Sequence, residues 1–142
     1  MNIISIPTDK LLGRLLSENE IDSYIKENKK YLIDYSVSDY LNYIQNKCGM
    51  TKPEIFRKAE MNEIYGYQIF AGKRMASRDK LLSIAIAMGL SLDEVNKLMK
   101  IAGYATLYAK CKRDSIIIYS ILNKLTGREL NEMLYDRNEL TL

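Results

Sequence analysis

Basic, tyrosine and carboxylate side chains are what this sequence offers for chemistry, and it contains no histidine. That absence removes Ser-His and Cys-His nucleophile activation and the commonest metal ligand in one step. Cys48 and Cys111 stand far apart, without Cys-x-x-Cys spacing or the carboxylate neighbours a two-cysteine metal site needs. They read as reduced thiols in a reducing compartment. Adjacent carboxylates such as Asp93 and Glu94 fall where a helix begins, and there they suit the helix dipole better than acid–base work. The expectation is a protein with no cofactor and no enzyme activity. Binding chemistry remains. The stretch NEIYGYQIFAGKR, residues 62–74, sets two tyrosines around a glycine and closes on a Gly-Lys-Arg triplet. Lys73, Arg74 and nearby Arg78 form a cluster able to hold a polyanion. Thr51 and Lys52 open another helix, where free N–H groups and a cation both favour an anion.

These residues need helices to position them, and the sequence predicts helices throughout. Thr8 is read as a cap for Leu11, Leu12, Leu15 and Leu16, and residues 19–30 place Ile21, Tyr24 and Ile25 on one face. A third helix starts at Ser36 or Ser38 and ends at Gly49. Thr51 caps the next, with Pro53 in its first turn, where a missing N–H costs little. Asn62 caps the helix of the tyrosine stretch, which Gly72 ends. Ser77 caps SRDKLLSIAIAMG, and Ser91 caps SLDEVNKLMKIAG with Glu94 at capping-box spacing. YATLYAKCKR has no period and reads as a connector, followed by RDSIIIYSILNKL and TGRELNEMLYDRN as two more helices. No segment alternates with period two, so the expected class is all-α.

The totals agree. A chain of 142 residues with 47% hydrophobic content suits one globular domain, or one domain with an appended segment, and two prolines with seven glycines favour helices over a turn-rich sheet. No apolar run approaches the roughly 20 residues of a membrane span, and the N-terminus lacks a basic region followed by an apolar core. No membrane partner is expected, and the reading is a cytoplasmic protein. The net charge is +3. Within residues 49–80 there are seven bases (Lys52, Arg57, Lys58, Lys73, Arg74, Arg78, Lys80) against four acids (Glu54, Glu60, Glu63, Asp79). That segment therefore carries the whole positive excess.

An internal echo lies across the second half. RDKLLSIAIAMGLSLDEVNKLM from Arg78 overlays RDSIIIYSILNKLTGRELNEML from Arg113. Arg78 matches Arg113, Asp79 matches Asp114, Glu94 matches Glu129 and Asn96 matches Asn131. A helix, a tight turn and a helix are used twice, and such units stack to bury a shared core.

The region from Ser38 to Gly103 resembles the helix-turn-helix domain of phage-repressor, or Xre, type. It has a polar cap at Thr51, an apolar anchor at Ile55, the short turn AEMN, a third helix, Gly-Lys-Arg and the capped SRDKLLSIAIAMGLSLDEV. The resemblance implies a lambda-repressor-like five-helix domain over residues 36–104. An N-terminal helical extension, 1–35, precedes it, and a C-terminal helical pair, 105–142, packs on it. It implies a sequence-specific regulator of transcription that binds double-stranded DNA, such as a repressor. Thr51, Lys52, Lys73, Arg74 and Arg78 would hold the DNA backbone, and Glu63, Tyr65, Tyr67 and Gln68 would meet bases. Two departures stand out. Phe56 replaces the usual small residue of the second helix and Gly66 the usual β-branched residue facing it, a paired exchange of volumes. Glu60 occupies the place of the usual turn glycine. The alternative is a helical protein–protein interaction module that reuses the fold, favoured by its tyrosines and its poverty in Arg, Lys and Asn on the reading helix. A homodimer, or a protein partner held through the C-terminal helices, would use the apolar residues 116–125 and 130–134; the same residues could instead be core.

Overall fold

The computed structural model describes residues 3–142, and among these every regular element is helical. The chain divides into two compact units, one up to Asp34 and one over Tyr35–Leu142.

The first unit holds α1 (Thr8–Ser17), α2 (Ile21–Asn28) and a single 3-10 turn, Lys29–Tyr31. Pro7, not Thr8, occupies the cap position of α1, and no side chain caps that helix. Thr8 is the first helical residue, so its hydroxyl is one position too late to cap, and proline offers no side-chain acceptor in its place. α1 contains no buried residue. Instead the unit is organised around Asn28, which is buried and donates to the Tyr24 carbonyl at 2.9 Å while accepting from Arg14 Nη1 at 2.7 Å.

The second unit contains α3 (Val37–Cys48), α4 (Lys52–Lys58), α5 (Glu63–Phe70), α6 (Arg78–Ala87), α7 (Leu92–Ala102), α8 (Lys112–Leu122) and α9 (Gly127–Asp136). Of the two serines offered for α3, Ser36 is the cap, paired with Asp39 in a capping box. Ser91 with Glu94 and Thr126 with Glu129 form two more boxes, at equivalent places in the two echoed units. α3 packs on α5 and α7, α4 lies against α5 and α6, and α6 pairs with α7. Leu41, Ile55, Phe56, Leu82, Leu98 and Met99 are fully buried where these helices meet.

The C-terminal pair joins that same unit: α9 packs on α6 and α8 on α7. The boundary expected near residue 104 therefore does not separate two compact bodies. Ile116, Ile117, Ile121, Leu130 and Leu134 are buried here and form core, whereas Tyr119 and Leu122 of the same stretch remain exposed. The echo reappears as bonding. Arg78 grips the Asp114 carboxylate through Nη1 (3.2 Å) and Nη2 (3.0 Å), and Arg113 grips Asp79 through the same two nitrogens, each at 3.0 Å. Arg78 Nε donates to the Ala105 carbonyl, and Arg113 Nε donates to that of Leu140, its counterpart 35 positions on. Asn96 accepts from the Leu107 amide as Asn131 does from Leu142. The repeat thus runs further than the helices, to residues 78–107 and 113–142. The contact is reciprocal, like that between two identical subunits.

Candidate nucleic-acid interface

α4 and α5 are joined by residues 59–62 alone, and two helices so connected must cross steeply. Thr51 and Asn62 cap them, each accepting from the backbone N–H three residues on. Glu60 turns the chain in the left-handed region, with φ of 52°, where glycine would be unstrained. Its carboxylate meets Arg128 of α9, which braces the turn from outside. Gly66 supplies the close approach between the helices. A Cβ there would stand 2.5 Å from the Phe56 ring, and the phenyl fills the space a side chain would need. Phe56 also meets Tyr67 and Phe70 edge-on, with centroids at 5.1 and 5.6 Å.

The residues singled out in the sequence divide by what they touch. Glu63 is exposed, Gln68 is half-buried, and Tyr67 leaves 43% of its surface to solvent while its ring edge packs on Phe56. Tyr65 is half-buried, and the Arg74 guanidinium lies over its ring at 5.4 Å. Gly72, with φ of 74°, reverses the chain after α5, and the Lys73 amide donates back to the Gln68 carbonyl. This turn sets Lys73 and Arg74 beside the helix. Both are exposed, and no carboxylate pairs with either among the described residues. Lys52 lies over the Phe70 ring at 5.5 Å, which ties the start of α4 to the end of α5.

Two of the expected backbone contacts are otherwise engaged. Arg78 spends its guanidinium on Asp114 and on the carbonyls of Ala105 and Thr106, so it belongs to the packing between the repeats. The Thr51 hydroxyl caps α4 and donates to the Glu54 carboxylate, which already places a negative charge at that helix start. Conversely, Ile64 and Met75 leave 71% and 70% of their surfaces exposed, and the basic Arg57 is exposed as well. Ile64 was findable: on a helix where Gly66, Ile69 and Phe70 face inward, helical spacing puts it outside. Met75, in an irregular loop, gave no such signal. Among the described residues no group of side chains is arranged to hold a metal, and no helix is long and apolar enough to cross a membrane. No protein-family model, curated protein or solved structure matches this chain.

Proposed function

We propose that this chain is a sequence-specific double-stranded DNA-binding transcriptional regulator of helix-turn-helix type, in which α5 enters the major groove and α4 braces it. The observation that carries the reading is the placement of unpaired cations. Arg78, Arg113 and Arg128 are each committed to a carboxylate, whereas Lys73 and Arg74 stand free where the chain folds back along α5. Free cations beside a groove-entering helix are what a phosphate backbone requires. Lys52, Lys73 and Arg74 supply the positive charge, and Glu63, Tyr65, Tyr67 and Gln68 present groups that can meet base edges or the thymine methyl. Arg78 is left out of this surface.

Fluorescence anisotropy with duplex DNA at about 50, 100 and 200 mM salt tests the reading. Two to four backbone contacts should lower affinity about ten- to a hundredfold across that range, and Lys73→Ala should reduce the salt slope by about one. A protein that ignores duplex DNA at the lowest salt is not such a regulator. A second reading, a helical protein-interaction module, is favoured by the exposed Ile64 and Met75, since apolar side chains anchor protein interfaces better than they contact phosphates.

A further inference from the structure

We infer that Arg74 is the guanine-reading residue of this surface, held ready for that task by its place over the Tyr65 ring; the inference rests on the DNA-binding reading above. Six arginines lie in the unit Tyr35–Leu142. Arg78, Arg113 and Arg128 are bonded to carboxylates, and Arg137 donates to the Met133 carbonyl. Only Arg57 and Arg74 have no acceptor among the described residues, and of these only Arg74 lies on an aromatic ring.

Its position follows from the turn. Gly72 and the Lys73 amide fold the chain back over the end of α5, and from there Arg74 reaches along the helix to Tyr65. Tyr65 belongs to the first turn of α5. When such a helix enters the major groove, the residues of its first turn face base edges. A guanidinium held over a ring by cation–π attraction uses none of its N–H groups in the contact, so all of them stay free for an acceptor. Guanine offers O6 and N7 as two parallel acceptors to these groups. This contact therefore supplies the arginine that the sequence of α5 itself lacks. Lys73 is not stacked on a ring and carries no planar fork, so it contributes charge without preference.

Selection from a random-library duplex pool with the full-length chain tests this, with variants Arg74→Lys, Lys73→Ala, Tyr65→Phe and Tyr65→Leu. The wild type should select a motif containing a fixed guanine. Arg74→Lys keeps the charge but should weaken the preference for that guanine by about tenfold or more, while affinity for random duplex changes little. Tyr65→Phe, which retains the ring face, should keep the preference, and Tyr65→Leu should relax it. Lys73→Ala should weaken all sequences alike. An Arg74→Lys protein that still selects the guanine overturns the assignment, as does a wild type that binds duplex without base preference. In both cases general DNA binding survives. A wild type that binds no duplex at all removes the underlying functional reading as well.

Discussion

Gly66 and Phe56 show how much one contact depends on two volumes. The phenyl ring occupies the space where a Cβ on residue 66 would stand. Gly66→Ala alone should therefore push against a buried ring and destabilise the protein by about 1–3 kcal/mol. Phe56→Ala alone should leave a cavity and cost about 3–5 kcal/mol. The double variant should lose less than the sum, by about 0.5–3 kcal/mol in a double-mutant cycle of denaturant unfolding. Strict additivity would mean that the ring and the helix relax independently. Tyr40 gives a second residue-scale expectation. It is 2% exposed, its hydroxyl donates to the Glu94 carbonyl, and burial, followed by the nearby Glu94 charge, pushes its pKa well above the ordinary 10.0. A raised folded pKa stabilises while the phenol is neutral in both states, and that contribution is lost as pH climbs past the unfolded value near 10. Denaturation from pH 8 to 11 should show stability falling more steeply above about pH 10 in wild type than in Tyr40→Phe. Equal slopes would show that Tyr40 ionises without resistance.

Among the elements, helix starts and stops were legible because their signals are local. Ser36, Thr51, Asn62, Ser77, Ser91 and Thr126 all cap helices through bonds to a backbone N–H three residues on. Thr8 is no cap because the helix already begins at that residue. The echo of α6–α7 in α8–α9 was legible as well, but its consequence was not. Matching Arg78 with Arg113 and Asp79 with Asp114 does not say that each arginine bonds to the other unit's aspartate. Without that knowledge Arg78 looked like one more cation for a phosphate. The two bridges should differ in weight. The Asp114 side chain is 9% exposed and also accepts from the Tyr108 amide, whereas that of Asp79 is 40% exposed. Asp114→Asn should cost about 3 kcal/mol, since it weakens a largely buried ion pair. Asp79→Asn should cost below about 1 kcal/mol. Thermal unfolding of the two variants side by side checks this, and equal losses would show that burial does not set their worth.

For the whole molecule, the sequence by itself determined the all-helical class, most helix boundaries, the absence of histidine chemistry and the repeated unit. Each of these rests on spacing within a few residues or on composition, and the physics involved is local: a 3.6-residue period, a side chain reaching its own backbone, a residue type present or missing. Tertiary structure alone decided which charges are free. Arg78 and Asp114 lie 36 positions apart, Glu60 and Arg128 68 apart, and no pattern within one helix reveals such partners. It also decided that Ile116, Ile117 and Ile121 are buried within their own unit, where α8 packs on α7 and α9, because an apolar stripe states only that something must cover it. The placement of Arg74 over the Tyr65 ring is of the same kind. The end of α5 and the turn after it separate the two, and the fold, not the spacing, brings the guanidinium over the ring.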